Sequence, residues 1–428
     1  MKKIMNTKLC PILSAKIMSQ SREEVPVILQ FNSNALNLKE NMSSLSSKIK
    51  SNLPLIDGFA GYMSTEAIYK IANSPEIEYI SFDSEVYALL DIAAPTMEVH
   101  FPHDKGFQGE GITVAVIDTG VAPHDDLTRP NNRIIAFKDF INGKDIPYDD
   151  NGHGTHVSGI IAGNGFASKG KYIGVAPKAN ILGIKALDSN GGGSTSDIIA
   201  AISYIVETKD KYNTKIINIS LGTPANNSCD KDPLCKAVDM AVKAGLIVIA
   251  AAGNSGPEEG TILSPGISRN VITVGAVDDK RTIDPSDDVI APFSSRGPTI
   301  EGLMKPDIVA PGVNIKSLSN TKLDNYSSLS GTSMATPLVS GSVALLLNKY
   351  KDISPQETKN RITSSCIDLK QSQKNQGAGM LNLQKLFEDN INEIGNNKST
   401  GKIGSLDNDI FENLLMILII IFLLDSRF

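Results

Sequence analysis

The stretch Ile112-Thr113-Val114-Ala115-Val116-Ile117-Asp118-Thr119-Gly120 stays apolar or β-branched until it reaches a carboxylate, a threonine and a glycine. A strand with one wet face alternates. An unbroken apolar run of this length reads as a strand covered on both sides. Similar runs follow at Asn180–Ile184, Ile216–Ile219, Leu246–Ala251 and Val271–Val274. Helical spacing lies beside them, at Ser196–Thr208, Cys235–Ala244 and Ser333–Lys349. Covered strands separated by helices predict an α/β fold: a doubly wound, mainly parallel sheet with helices on both faces. Such sheets gather their chemistry at the C-terminal ends of the strands, and Asp118 stands at that end of its own. Alone it says little, because strand-end aspartates commonly cap a loop.

Working outward, residues 93–388 make up this large unit. Residues 23–92 read as a separate, small α/β unit. Its strand Val25–Phe31 is followed by helical spacing over Leu36–Ile49, a strand over Gly58–Met63, a helix opened by Ser64-Thr65-Glu66, and a last strand over Ile77–Val86. With one strand hidden among these the order is β-α-β-β-α-β, a ferredoxin-like arrangement. Residues 1–22 form a short lead, 389–409 a polar, Asn-rich linker and 410–428 a hydrophobic tail. Lys2 and Lys3 resemble the start of a signal peptide, but Lys16 interrupts the apolar stretch and no small-residue cleavage site follows. The apolar run Leu414–Leu424 falls well short of the roughly 20 residues that span a bilayer. A short tail anchor making a membrane contact stays open, and a buried docking segment or a sticky disordered tail is favoured over it.

Composition narrows the function. The chain has 428 residues, 41 of them basic and 47 acidic, for a net charge of −6. That balance carries no basic footprint for nucleic acid. Apolar residues at 41% and charged residues at 21% are ordinary for globular domains and exclude wholesale disorder. Four cysteines are too few for a disulfide scaffold in a chain this long.

Two further segments carry chemistry. Asn151-Gly152-His153-Gly154-Thr155-His156-Val157 sets His153 between two glycines at the start of a helical stretch. The spacing of His153 and His156 lacks the i,i+4 placement and the glutamate of a zinc-protease helix, so metal is disfavoured. His156 reads as a packed histidine, His153 as the reactive imidazole. Gly331-Thr332-Ser333-Met334-Ala335-Thr336-Pro337 opens an apolar helix and places Ser333 at its N-terminus. A serine there is commonly just a cap. It also suits a nucleophile whose oxyanion the helix dipole favours. Serine needs a base within reach, histidine supplies one near neutral pH, and an aspartate holds the imidazole. Asn254, in Ala252-Gly253-Asn254-Ser255-Gly256, follows a buried strand and can donate its amide to an oxyanion.

With these four segments, in this order, the chain resembles the subtilisin-like serine proteases, or subtilases, over roughly residues 95–388. The resemblance implies a serine endopeptidase acting through an acyl-enzyme, with Asp118, His153 and Ser333 as the triad. It implies Asn254, the Ser333 backbone amide and the Thr332 hydroxyl as oxyanion donors. It also implies that Ser220-Leu221-Gly222 and Gly191-Gly192-Gly193 are the two edges flanking an extended peptide substrate. Gly253 and Leu263-Ser264-Pro265-Gly266 border the pocket for the residue before the scissile bond, which the reading fills with a large apolar or aromatic side chain.

Glu23–Leu90 resembles the family's inhibitory propeptide, an intramolecular inhibitor and chaperone. Its end, Tyr87–Ala93, is expected in the cleft, with self-cleavage near residues 88–96. No cofactor is expected for the chemistry. The loop Gly163–Lys171 carries Lys169 and Lys171 and departs from the family's calcium loop, so structural calcium is not supported there, while weaker oxygen sites elsewhere stay open. Cys229 and Cys235 are left either as a small-loop disulfide or as free thiols. The expected partners are protein or peptide substrates and the chain's own propeptide. The expected location is cytoplasmic or tethered by the tail, with secretion as the alternative. A non-catalytic binding module, a nucleotide-binding α/β protein, and an esterase or ligase using the same triad stand as rival functions.

Overall fold

Val25–Phe31 is apolar without alternation because both of its faces are covered. In the computed structural model, Glu24–Phe31 (β1), Lys48–Leu53 (β2), Gly58–Ser64 (β3) and Ile77–Phe82 (β4) form an antiparallel sheet in the order β2-β3-β1-β4. Val27 and Leu29 pack towards the helices Pro11–Met18 (α1) and Thr65–Ala72 (α2), in a core with Leu13, Ile68 and Ile71. Ile28, Leu53 and Ala60 join Ile198, Ile202 and Val238 of the large unit instead. Each leucine, isoleucine or valine here, fully buried, contributes about 2 kcal/mol, so this apolar face is the main attraction between small sheet and large unit. Polar contacts then set the orientation. Asp83 accepts from the Ser196 amide at 2.8 Å and the Ser196 hydroxyl at 2.6 Å, and Lys50 bridges Asp83 and Asp197. Lys236 reaches Glu78 at 2.6 Å and Gln30 at 2.7 Å.

The structure describes residues 8–18, 24–32, 48–83, 85–88, 96–280, 282 and 284–388. Residues Met1–Phe387 are one compact unit. The linker, the tail and Leu414–Leu424 lie outside the described residues. Among the described residues, no helix is long and apolar enough to cross a membrane.

Three expectations for the N-terminal part need correcting. The helical spacing proposed to end at Ile49 gives way to β2, so Lys48 and Ile49 are strand, and β2 is the hidden strand of the ferredoxin-like order. The last strand ends at Phe82, and Glu85–Ala88 (β5) leaves for a different sheet. The lead is no separate appendage: Leu9 bridges to Ile80, and Leu9, Cys10 and Leu13 are buried in the small core.

The large sheet runs through Thr113–Asp118 (β6), Ile134–Asp139 (β7), Asn180–Lys185 (β8), Thr214–Ile219 (β10), Ile247–Ala251 (β12), Ile272–Asp278 (β13) and Ile308–Pro311 (β15). All of these pair in parallel, in the order β15-β13-β12-β10-β6-β8-β7. Val289–Ile290 (β14) pairs antiparallel to β13, and the short strands Cys366–Ile367 (β18) and Met380–Leu381 (β19) extend the sheet beyond β15. Gly192–Ser194 (β9) and Leu221–Gly222 (β11) flank β5, and Ile315–Leu318 (β16) pairs with Tyr326–Leu329 (β17).

β6 shows why its sequence cannot alternate. Val114 and Val116 enter the core beneath His153–Ala162 (α3) and Thr332–Lys349 (α6), beside Val157, Ile161 and Val339. Ala115 and Ile117 enter the opposite core, beneath Thr195–Thr208 (α4) and Pro233–Lys243 (α5). Cys229 and Cys235 form a disulfide just ahead of and within α5.

Candidate active site

Asp118 ends β6 fully buried, and its Oδ1 accepts from the Thr119 amide at 2.8 Å and from His153 Nδ1 at 2.7 Å. His153 opens α3, and the helix approaches the end of β6 very closely. A Cβ on Gly154 would lie 2.1 Å from the Gly120 carbonyl and 3.0 Å from Asp118 Cβ, so only glycine lets the two elements meet. Asp149 ties them together. Its carboxylate accepts from the Thr119 hydroxyl, the amides of Asn151, Gly152 and Thr155, and the Thr155 hydroxyl. Thr119 in turn accepts the Gly154 amide at 2.9 Å. On the other side, the buried Lys185 ammonium donates to the Thr119 and Leu187 carbonyls and to Asp150. Asp149 and Lys185 were not singled out from sequence. The only local signal for Asp149 is an aspartate two residues ahead of Asn151-Gly152, where a carboxylate readily caps a turn.

Ser333 lies in the first turn of α6, completely buried. Its hydroxyl donates to the Ser220 carbonyl at 3.0 Å. Pro337, four residues on, has no N–H to give the Ser333 carbonyl. The Ser220 hydroxyl supplies that bond instead, at 3.0 Å, and itself accepts from Asn218 at 2.9 Å. The proline inside α6 thus leaves open a carbonyl that fastens the serine's turn to the edge next to β11.

Asn254 is oriented by Thr332. Its Oδ1 accepts both the Thr332 amide and the Thr332 hydroxyl at 3.0 Å. Two donors on that oxygen leave the Nδ2 hydrogens for the other side of the amide. The Thr332 hydroxyl has a single proton, and Asn254 takes it, while the Gly253 amide donates to the same oxygen at 3.2 Å. Thr332 therefore orients Asn254, a duty that was not expected from sequence.

The cleft edges enclose the chain's own β5. Tyr87 pairs with Gly192 on one side and Gly222 on the other; Glu85 and Val86 pair with Ser194 and Gly193, and Ala88 with Leu221. Gly191 is not part of this pairing. It forms the turn before β9, with its amide on the Asp188 carbonyl at 3.1 Å. Residues 89–93, also expected in the cleft, lie outside the described residues.

The other histidines near the motif are occupied elsewhere. His156 is buried against the Ile315 carbonyl, and burial, with His153 beside it, pushes its pKa down to about 3. His124 caps Asp125–Thr128 by accepting the Asp126 amide, with its other ring nitrogen on the Asn325 carbonyl. Neither joins His153 in a metal set.

Comparison with known proteins shows the family. Residues 109–384 match the model of the subtilase family. The chain is 39% identical over 392 residues to serine protease AprX of Bacillus subtilis, covering 85% of this chain and 88% of that protein. It is 37% identical over 285 residues to subtilisin DY of Bacillus licheniformis, covering 65% of this chain and 92% of that protein. The chain is a subtilase. Fervidolysin from Fervidobacterium pennivorans shares the fold, with a TM-score of 0.69 at 22% identity, over 85% of this chain and 61% of that one. The subtilase is a serine endopeptidase of the Asp-His-Ser type, acting on protein or peptide substrates.

This subtilase's loop Gly163–Lys171 does not fit a calcium ion. Asp126, the nearest carboxylate, already accepts the Ala167 amide at 2.8 Å and the Tyr326 hydroxyl at 2.8 Å. Asn164 Oδ1 accepts the Phe166 amide. The Ala162, Ala179 and Asp126 carbonyls serve the Arg133 guanidinium, a cation the chain carries itself. Calcium wants six to eight oxygens free to converge.

Proposed function

We propose that Ser333 is the nucleophile, His153 its base, Asp118 the group that holds His153, and Asn254 the oxyanion donor, and that residues 23–92 are a propeptide whose end is this enzyme's first substrate. Ser333 Oγ attacks the scissile carbonyl as His153 Nε2 takes its proton. The new oxyanion receives Asn254 Nδ2 and the Ser333 amide. Collapse passes the proton from His153 to the leaving amine and leaves an acyl-serine. Water, deprotonated by the same histidine, then releases the acid and restores the hydroxyl. No step needs a cofactor.

The observation that carries this reading is β5. A segment held antiparallel between β9 and β11 is the posture of a substrate strand, with backbone bonds providing affinity and pockets selectivity. The register also supports one bond within residues 88–96 as the site of cutting. Ala88 pairs with Leu221, and the next residue along that edge is Ser220, whose carbonyl accepts the Ser333 hydroxyl. The bond cut is Leu89–Leu90. Intact mass and N-terminal sequencing of the purified chain should find a mature enzyme beginning at Leu90, and an uncut chain for Ser333→Ala. An uncut wild type would make residues 23–92 a permanent accessory domain. Equal cutting of both proteins would assign maturation to another protease.

We infer a shallower pocket for the residue before the cut than the large apolar or aromatic one expected from sequence. Leu263 and Ser264 join its two walls through bonds to Ala252 and Thr223. A Cβ on Gly253 would lie 2.6 Å from Leu263 Cγ, and one on Gly222 2.9 Å from Leu263 Cβ. Leu263 thus packs against both glycines. This supports aliphatic residues of leucine size over aromatic ones. Leu263→Ala should raise kcat/KM for phenylalanine over leucine at that position by at least about tenfold. An unchanged ratio would remove Leu263 from the pocket.

The Cys229–Cys235 disulfide supports the secreted alternative over a cytoplasmic or tethered enzyme, because such bonds persist in oxidising compartments. Enzyme recovered from the culture fluid would agree; activity confined to the cytosol would not.

A further inference from the structure

We propose that Asp232 is a positioning residue for substrate selectivity, acting through the Ser264 hydroxyl, an inference that rests on the pocket read above from Gly222, Gly253 and Leu263. Asp232 stands at the start of α5, where its Oδ1 accepts the Cys235 amide at 2.8 Å. For an ordinary helix cap that bond is the whole duty. Here the same oxygen also accepts the Ser264 hydroxyl at 2.9 Å. Ser264 is fully buried, so water cannot take over that bond if the carboxylate goes. The Ser264 backbone is tied down as well. Its amide donates to the Thr223 carbonyl at 2.9 Å, and its carbonyl accepts the Thr223 amide at 3.0 Å. Thr223 follows Gly222 of β11, and Leu263 precedes Ser264. One serine therefore joins the substrate edge, the Leu263 wall and the start of α5.

The packing behind the pocket points the same way. The Cys229–Cys235 disulfide closes the short loop that contains Asp232. Both cysteines pack with Ala252, Ile262 and Ile267, and Ala252 and Ile262 are the chain neighbours of Gly253 and Leu263. One turn further along α5 from Cys235, Asp239 accepts the Ser268 hydroxyl at 2.5 Å. The segment Leu263–Ser268 is thus fastened to α5 near both ends, each time by a carboxylate on a serine. The Asp232 bond is the one that lands beside Leu263 and on the bridge to Thr223. Without it the wall can shift away from Gly222 and Gly253, and the fit of a leucine-sized side chain loosens. What the wall draws from Asp232 is an acceptor oxygen with two lone pairs, which an asparagine amide also carries.

The test compares Ser264→Ala, Asp232→Ala and Asp232→Asn with the wild type, in mature form, on peptides carrying leucine or phenylalanine before the cut. Ser264→Ala keeps the cap on the Cys235 amide. It should raise KM for the leucine peptide by at least about fivefold while kcat moves by less than about twofold. It should also narrow the preference for leucine over phenylalanine by at least about threefold. Asp232→Ala should repeat both changes and, having lost the cap, melt at a lower temperature. Asp232→Asn should restore KM and the preference. A fall in melting temperature with KM and preference unchanged in Ser264→Ala and Asp232→Ala would make the bond merely structural and overturn the proposal. An Asp232→Asn enzyme as impaired as Asp232→Ala would overturn it too. Leu263→Ala separates the two levels of the argument. If it alters the preference and Ser264→Ala does not, the link through Asp232 is rejected and the pocket stands. If neither alters it, the pocket and the link fall together. Should Asp232→Ala fail to fold, Ser264→Ala and Asp232→Asn decide by the same criteria.

Discussion

Ser333→Ala is expected to lower kcat for peptide hydrolysis by about 10⁶, the loss that removal of the nucleophile causes in subtilisin. The structure makes this a clean deletion. The side chain is fully buried, and alanine removes one oxygen without adding volume. The bond from the Ser220 hydroxyl reaches the Ser333 carbonyl, which alanine keeps. Asn254 stays oriented by Thr332, and β9 and β11 are untouched. Once an added protease has removed the uncut N-terminal part, substrate should bind as before, with KM nearly unchanged, and residual catalysis of about 10³–10⁴ over water should come from the oxyanion donors. Steady-state kinetics on a chromogenic peptide, beside a melting curve, measures both. A variant retaining more than about one hundredth of the wild-type rate would remove Ser333 from the nucleophile's role.

The large sheet was legible because covered strands leave a signature that survives without context. Val114, Ala115, Val116 and Ile117 serve two different cores, and the run cannot alternate. β7 was missed for the converse reason: along it only Ile134 and Asp139 are buried, so its pattern carries no clear period. β2 was hidden because Lys48, Ile49 and Lys50 face outward or halfway, and a helical reading of the preceding residues ran into it.

The site divides in the same way. Asp118, His153, Ser333 and Asn254 sit in short motifs that announce themselves. Asp149, Lys185 and the duty of Thr332 are visible only once segments far apart in the chain meet. Asp149 acts across thirty residues on Thr119. The fit of Leu263 between Gly222 and Gly253 depends on three separate loops. The pairing of Cys229 with Cys235 likewise needed the fold, since their spacing allows both states.

Asp118→Asn is the second large effect, an expected fall in kcat of about 10⁴, near that found on removing the corresponding carboxylate of subtilisin. The amide is nearly the same shape as the carboxylate, and the site is fully buried, so the argument turns on charge. Asp118 Oδ1 serves two donors, the Thr119 amide and His153 Nδ1. An asparagine oxygen can keep the Thr119 bond and hold the loop. It brings no negative charge to the imidazolium that forms when His153 takes the Ser333 proton. In a buried pocket a neutral dipole replaces that charge poorly. The residue is thus separable from a scaffold role. A scaffold defect would lower the melting temperature and raise KM, because Thr119, Asp149 and Gly154 form one network. Loss of charge should leave both nearly unchanged and lower kcat alone. It should also alter the pH profile. With the base disabled, solution hydroxide must deprotonate Ser333, so the variant's rate should keep climbing about tenfold per pH unit where the wild type levels off. A loss of less than about tenfold, or a profile parallel to that of the wild type, would mean that Asp118 only braces the loop.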